Sequence, residues 1–294
     1  MSLAARSTNT GRARWLLAAS MMMLVGCAAT DTSTNAPPAA SPSASAATAS
    51  DPSPSGSVRL PPTTGEFDCQ LSGSYPLPAG VTVVSRDRAD RPAKGAYSIC
   101  YVNGFQTQPE QKRFWRDEHP GLLLRDADRQ PVVDGDWDEW LLDTRTEANR
   151  EAIAGLVGQW IEGCARSGFD ALEIDNLDSY ARSQGLLSRA DNVAMMARFS
   201  AIAHAHGLAS AQKNSTELLP RARELGTDFA IAEECNQYAE CADYTAVYGD
   251  RVYVIEYRDR PFAAGCRDHP GLMIVRRDRQ LTLPGDDDYV NRRC

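Results

Sequence analysis

Short apolar segments rich in valine, isoleucine, leucine and tyrosine recur along the chain from residue 81 onward. Most of them are almost continuously apolar, which is typical of strands that other elements cover on both faces. We predict eight such strands, at residues 81–85, 97–102, 139–143, 170–175, 208–213, 228–233, 252–257 and 272–275.

Helical patterns lie between several of these strands. The clearest begins where Thr144 and Glu147 have the spacing of a capping box, and Gly168 supplies its stop. Two further helices are predicted, at residues 188–206 and 216–225. Because strand, helix and strand in this order imply parallel pairing, we predict a single compact (β/α)8 TIM barrel of the α/β class over residues 66–294. A flavodoxin-like sheet is the structural alternative.

The first 27 residues have the pattern of a secretion signal. Three arginines precede an apolar run at 15–25 that is too short for a permanent membrane helix, which needs about 20 apolar residues. The run ends in Leu-Val-Gly-Cys, which resembles a bacterial lipobox. On that resemblance Cys27 carries a lipid and becomes the first residue of the mature chain. Ordinary cleavage just after Cys27, with loss of that residue, is the alternative.

Residues 28–65 consist mostly of alanine, serine, threonine and proline. Such a segment cannot bury enough apolar surface to fold, so we predict a disordered tether between the lipid anchor and the barrel. The sequence therefore predicts an extracytoplasmic protein, attached to the cell membrane as a lipoprotein or secreted. Beyond that lipid we expect no membrane contact, and we expect a monomer.

The charge balance limits the possible partners. The chain contains 31 Lys and Arg and 39 Asp and Glu, which gives a formal net charge of −8. An acidic surface argues against nucleic acid as a partner, whereas it is compatible with a cationic ligand.

Seven cysteines follow Cys27, and export would place them in an oxidising compartment where disulfides persist. We expect Cys164 to stay unpaired, because it lies on the apolar face of the first predicted helix, where a thiol packs as a small apolar group. The predicted pairs are Cys235–Cys241, Cys266–Cys294 and Cys69–Cys100.

Polar side chains stand at the ends of five consecutive predicted strands. They are Asp143, Asp175 with Asn176, Lys213 with Asn214, Glu233 with Glu234, and Glu256 with Tyr257. In a (β/α)8 barrel the carboxyl ends of all strands meet at one mouth, where catalytic groups lie. Carboxylates with a lysine and two carboxamides suit hydrolysis of a glycosidic bond, in which one carboxyl protonates the leaving oxygen and the other attacks or activates water.

A metal-dependent hydrolase is the competing enzyme class. The chain has four histidines, and its His-x-His pattern, at His204 and His206, stands at the end of a predicted helix. Histidines there suit the helix dipole better than a metal at a strand end. We therefore predict neither a metal site nor a cofactor.

A series of motifs runs through the predicted barrel. In order they are Ile99-Cys100-Tyr101-Val102, Trp140-Leu141-Leu142-Asp143, Gly168-Phe169-Asp170, Asp175-Asn176-Leu177-Asp178, Lys213-Asn214, Glu233-Glu234-Cys235 with Tyr238 and Cys241, and Glu256-Tyr257. Together they resemble glycoside hydrolase family 114, the endo-α-1,4-polygalactosaminidases. The resemblance implies a barrel enzyme that cleaves α-1,4-linked galactosamine or N-acetylgalactosamine polysaccharides at internal bonds.

The resemblance also implies roles for individual residues. Asp175 and Glu233 become the catalytic carboxylates, and Glu234 is the alternative to Glu233, since strand alternation lets only one of the two point inward. Substrate contacts are expected from Tyr101, Asp143, Asn176, Asp178, Lys213, Asn214, Glu234, Tyr238, Glu256 and Tyr257.

The opening of the domain departs from the family pattern. Relatives tend to have a Trp-rich segment where this chain has Phe67, Cys69, Gln70 and Leu71. The loop at 103–108 is the candidate substitute for the subsite that this segment builds. A catalytically inactive, lipid-anchored carbohydrate-binding protein is the alternative function.

Overall fold

The computed structural model describes residues 57–294 of the chain; the predicted signal, Cys27 and the tether up to residue 56 lie outside the described residues. The strands are β1 (Glu66–Gln70), β2 (Val81–Asp87), β3 (Tyr97–Asn103), β4 (Val133–Asp134), β5 (Glu139–Trp140), β6 (Ala171–Asp175), β7 (Ala209–Lys213), β8 (Phe229–Glu233), β9 (Val252–Glu256), β10 (Met273–Arg277) and β11 (Asn291–Arg293). The α-helices are α1 (Lys112–Glu118), α2 (Glu147–Ser167), α3 (Ser179–Arg182), α4 (Arg189–Ala205), α5 (Ala222–Leu225), α6 (Cys235–Tyr238), α7 (Cys241–Tyr248) and α8 (Asp259–Asp268). Short 3-10 turns lie at Pro109–Gln111, Pro120–Leu122 and Thr216–Arg221.

Nine strands form one sheet in the order β1-β2-β3-β6-β7-β8-β9-β10-β11. The first eight pair in parallel, and the predicted TIM barrel is confirmed. β11 runs antiparallel to β10 and contacts β1. Asn291 Nδ2 donates to Asp68 Oδ1 at 2.8 Å, and Arg293 pairs with Glu66 at 2.5 Å. The last strand therefore lies along the seam of a nearly closed barrel.

The strand predicted at residues 139–143 is not part of the barrel. Its first two residues, β5, pair with β4 in a separate antiparallel hairpin. The barrel strand that the prediction missed is β1, whose sequence Glu-Phe-Asp-Cys-Gln is largely buried despite three polar side chains. Those side chains are satisfied by polar partners, Glu66 by Arg293, Asp68 by Asn291 and Gln70 by Arg86, so no apolar run marks this strand.

Alternation along the strands separates the barrel interior from the layer beneath the helices. The inward side chains form one apolar cluster that includes Phe67, Val83, Tyr97, Ile99, Ala171, Ala209, Ala211, Phe229, Ile231, Tyr253, Ile255 and Val275. The alternate positions pack outward against α2 and α4 or against α7 and α8. The same inward register, continued two residues toward the mouth, reaches polar side chains.

Three disulfides are present among the described residues. Cys235–Cys241 and Cys266–Cys294 confirm two predicted pairs. The third joins Cys100 to Cys164, so the predicted Cys69–Cys100 pair is wrong, and so is the unpaired Cys164. The reason is strand alternation: Cys100 faces outward to α2, whereas Cys69 faces the barrel interior, where it is buried as a free thiol.

Residues just before β1 already pack against the barrel. Tyr97 donates its hydroxyl to the carbonyl of Arg59 at 2.6 Å, and Tyr253 donates to the carbonyl of Pro62 at 2.7 Å. Contact with the domain therefore begins before the predicted boundary at residue 66. Among the described helices, none combines the length and apolar character needed to cross a membrane.

Candidate active site

Lys213, the last residue of β7, connects the polar side chains at the barrel mouth. Its Nζ donates to Glu173 Oε1 at 2.9 Å and lies 3.6 Å from both Asp175 Oδ1 and Glu233 Oε2. Those two carboxylate oxygens are therefore at most twice 3.6 Å apart. Burial alone would lower the pKa of Lys213, but Asp175, Glu173 and Glu233 raise it well above its usual value. A charged ammonium thus sits between the two predicted catalytic carboxylates.

Asp175, the last residue of β6, accepts two hydrogen bonds. The Tyr101 hydroxyl donates to Oδ2 at 2.7 Å, and the backbone N–H of Asn176 donates to Oδ1 at 2.9 Å. Burial alone would raise the pKa of Asp175, but Lys213, Tyr101 and Asn176 together hold it below its usual range. Asp175 is therefore an anionic carboxylate.

Glu233, the last residue of β8, is held by its neighbours on both sides. Asn214 Nδ2 donates to Glu233 Oε2 at 2.8 Å, while the Glu233 backbone N–H donates to Asn214 Oδ1 at 2.8 Å. The Tyr257 hydroxyl donates to Glu233 Oε1. Burial, followed by the charge of Glu233, raises the pKa of Tyr257 well above its usual value, so this hydroxyl stays protonated.

The residue directly after each of β6, β7 and β8 has a left-handed backbone. Asn176 has φ 65°, Asn214 has φ 47° and Glu234 has φ 57°. Asparagine adopts this conformation more readily than most residues, which suits it to the positions after β6 and β7. β8 ends at Glu233, which strand alternation places on the inward face together with Phe229 and Ile231. Glu234 lies in the turn after the strand and does not face the barrel interior.

The carboxylates open into a cavity of about 440 Å³ at the mouth. Most of the predicted substrate contacts line it, namely Tyr101, Asn176, Asp178, Lys213, Asn214 and Tyr257, together with Asp175 and Glu233. Glu234 and Tyr238 line an adjoining groove, also of about 440 Å³.

Two predicted contact residues do not line either space. Asp143 follows the hairpin rather than a barrel strand, and its carboxylate accepts from the Arg145 guanidinium at 2.8 and 2.7 Å. Glu256 has the outward register of β9 and accepts from the Asn236 backbone N–H at 2.8 Å. The structure thus separates both residues from the cavity.

The hairpin of β4 and β5 supplies cavity residues that the sequence pattern did not reveal. Four residues of the hairpin line the cavity, namely Asp134, Asp136, Trp137 and Glu139. Burial raises the pKa of Glu139 to about 7, although Asn103 Nδ2 donates to its Oε2 at 2.9 Å. Gln108, in the loop that the sequence marked as a substitute subsite, also lines the cavity.

Arg182 of α3 anchors the acidic wall of the cavity. Its Nε lies 2.8 Å from Asp134 Oδ2, and its terminal nitrogens donate to Asp178 at 2.9 Å. Across residues 57–294, no group of three or more His, Cys, Asp or Glu side chains is placed to hold a metal ion. His204 instead bonds Asp228 at 2.8 Å on the outside of the barrel.

Comparisons with known proteins give consistent results for the fold. Ega3 of Aspergillus fumigatus, solved in complex with galactosamine, is 18% identical over 81% of this chain and 98% of its own, with a TM-score of 0.63. The glycoside hydrolase domain of PelA from Pseudomonas aeruginosa is 14% identical over 78% of this chain and 98% of its own, with a TM-score of 0.53. Comparison with curated protein sequences gave no significant match.

The family comparison covers the whole described domain. The model described as glycoside-hydrolase family GH114 matches residues 46–294, a range that includes every side chain at the barrel mouth. This chain is therefore a glycosidase and belongs to glycoside-hydrolase family GH114.

Proposed function

We propose that this protein cleaves internal bonds of α-1,4-linked galactosamine or N-acetylgalactosamine polysaccharides, with Asp175 and Glu233 as the catalytic pair. The observation that carries the proposal is the position of Lys213 Nζ, 3.6 Å from a carboxylate oxygen of each residue. A cation between two carboxyls, at the mouth of a GH114 barrel, suits the two-carboxyl chemistry of glycoside hydrolysis.

The two carboxyls have different roles in this reaction. Asp175 is ionised, so it attacks the anomeric carbon while the bond to the leaving oxygen breaks and that oxygen takes a proton from Glu233. Glu233 then removes a proton from water, which displaces Asp175. Such a double displacement needs the two carboxyls roughly 5–5.5 Å apart, a separation that the limit of twice 3.6 Å through Lys213 allows. The first product should therefore keep the substrate's anomeric configuration.

The charge of the cavity supports an amino-sugar substrate. Seven acidic side chains line it against three basic ones: Asp87, Asp134, Asp136, Glu139, Asp175, Asp178 and Glu233 against Arg182, Lys213 and Arg279. Such a surplus of negative charge attracts a protonated amine. The Ega3 complex contains galactosamine, which agrees with this substrate class.

The proposal is tested by incubating the purified protein with polygalactosamine, its N-acetylated form, chitosan and a neutral galactan, and sorting the products by mass. We expect a ladder of oligosaccharides from the galactosamine polymers and none from the galactan. Polymer binding with no new reducing ends would instead favour a non-catalytic carbohydrate-binding protein.

We also propose that the protein is exported and lipidated at Cys27. The three disulfides among the described residues suit an oxidising compartment, as the sequence pattern at 1–27 predicts. Labelling cells with an alkyne-bearing fatty acid tests this proposal. The label should attach to the wild-type protein and be absent from Cys27→Ala.

A further inference from the structure

The groove beside the active-site cavity is a second space along the same cleft. Five residues line both the cavity and the groove: Trp137, Asn214, Glu233, Tyr257 and Arg279. The residues that line the groove alone are Ser215, Glu234, Tyr238, Glu240 and Tyr244. The two spaces therefore adjoin along a shared wall that includes Glu233.

Asp175 and Glu233 differ in their position relative to the two spaces. Asp175 lines the cavity and not the groove, whereas Glu233 lines both. In glycoside hydrolysis the attacking carboxylate faces the sugar whose anomeric carbon is cleaved, and the acid reaches the oxygen between that sugar and the next. This difference indicates the direction in which a polysaccharide chain runs through the cleft.

We infer that the groove binds the leaving-group side of the substrate, the sugar residues that follow the cleaved bond toward the reducing end, with Tyr238 as their stacking surface. The inference rests on the proposed function and adds the orientation of the polymer. The cavity holds the sugar that Asp175 attacks, and the polymer crosses Glu233 into the groove.

Tyr238 presents an exposed aromatic ring on a constrained segment of the groove. Its side chain is 61% exposed, so its ring contributes little to the core. The disulfide Cys235–Cys241 closes the short segment that carries Tyr238 and Glu240, and Glu240 Oε1 accepts from the Thr216 hydroxyl at 3.1 Å. An exposed aromatic ring on a segment closed by a disulfide loses little conformational entropy when a sugar stacks on it.

The polar side chains of the groove suit sugars that carry hydroxyl and ammonium groups. Three carboxylates, Glu233, Glu234 and Glu240, line it together with Arg279. The Arg279 guanidinium lies 5.7 Å from the centre of the Trp137 ring, which places a cation on the aromatic wall that both spaces share. Because the backbone turns at Glu234 in a left-handed conformation, this residue lines the groove rather than the barrel interior.

The test compares two substrates that carry the same number of sugars on the non-reducing side of the cleaved bond. One is a galactosamine oligomer labelled at its reducing end, and the other is a galactosamine oligosaccharide in which a nitrophenyl leaving group replaces all the sugars beyond the cleaved bond. Tyr238→Ala should lower the ratio of kcat/KM for the oligomer to that for the nitrophenyl substrate about tenfold, the size of one lost aromatic contact. The labelled fragments should also become shorter, because fewer residues are held beyond the cleaved bond.

Glu240→Gln should lower the same ratio by a smaller factor, and it keeps the acceptor oxygen for Thr216. Leu283→Ala is the control, since Leu283 is exposed and lines neither space. An unchanged ratio and unchanged fragment lengths in Tyr238→Ala would overturn the orientation while leaving the proposed function intact. Failure of the wild-type protein to cleave any galactosamine substrate would overturn the proposed function and the orientation together.

Discussion

Lys213 and Glu173 form an ion pair of 2.9 Å with both side chains almost completely removed from solvent. Glu173 lies one inward position below Asp175 on β6, and its other oxygen accepts from the Ser85 hydroxyl. The pair therefore holds the ammonium group at the height of Asp175 and Glu233. Glu173, which is not one of the two catalytic carboxyls, thus holds the positive charge of Lys213 in place from the interior side of the barrel mouth.

Removing one partner of this ion pair should destabilise the fold. Lys213→Met leaves Glu173 buried without a cation, which typically costs about 3–5 kcal/mol. Glu173→Gln should cost less, because Lys213 keeps Asp175 and Glu233 as partners. Urea unfolding of both variants and of the double variant measures the coupling. A loss below about 1 kcal/mol in Lys213→Met would contradict this role.

The hydroxyl of Tyr101 should set the acidic limb of the pH profile. It stabilises the ionised form of Asp175, so Tyr101→Phe raises the pKa of that carboxyl. The acidic limb of kcat/KM then moves to higher pH, by about one unit if the hydrogen bond contributes roughly 1.5 kcal/mol. Tyr180→Phe is the matched control, since the Tyr180 hydroxyl bonds Glu217 outside the cavity. Equal profiles for Tyr101→Phe and the wild type would refute the assignment.

The division of roles between the carboxyls predicts a dependence on the leaving group. Glu233→Gln should slow polymer cleavage by about 10²–10⁴-fold, because the leaving oxygen loses its acid. The loss in kcat/KM, which reports cleavage of the bond to the leaving group, should be much smaller for a dinitrophenyl glycoside, whose leaving group needs no proton. Asp175→Asn should be slow on both substrates. If Asp175→Asn were instead the variant with the smaller loss on the dinitrophenyl substrate, the two roles would be reversed.

The disulfide between β3 and α2 should contribute more to stability than the one beside the groove. Cys100–Cys164 joins residues 64 apart and Cys235–Cys241 joins residues 6 apart. Loop-closure entropy gives about 4 kcal/mol for the first and about 2 kcal/mol for the second. Paired Cys→Ala variants compared by urea unfolding measure the difference. Non-reducing peptide mapping should find Cys69 as a thiol.

Most of the barrel could be predicted from the sequence because its inward and outward layers are both apolar. The exceptions have physical causes. β1 is covered by polar partners such as Asn291, far away in the chain, and the hairpin of β4 and β5 has an apolar pattern like that of a barrel strand. The Cys69–Cys100 pair failed because the spacing of cysteines does not reveal which face of a strand each one occupies.

The candidate site could be predicted where it follows strand register. Asp175, Lys213 and Glu233 continue the inward faces of three strands, so their position depends on local alternation. Glu139 and Arg182 reach the cavity from a hairpin and a short helix, whose placement depends on tertiary contacts. No local pattern in the sequence marks such residues.

The central claim is that Asp175 and Glu233 perform the cleavage. The most direct measurement is oligosaccharide release from polygalactosamine by Asp175→Asn, Glu233→Gln and the matched control Glu234→Gln. We predict that the first two lose at least about 10²-fold in rate, and that Glu234→Gln stays within about tenfold of the wild type. Near wild-type release by Glu233→Gln, with the loss transferred to Glu234→Gln, would contradict the assignment.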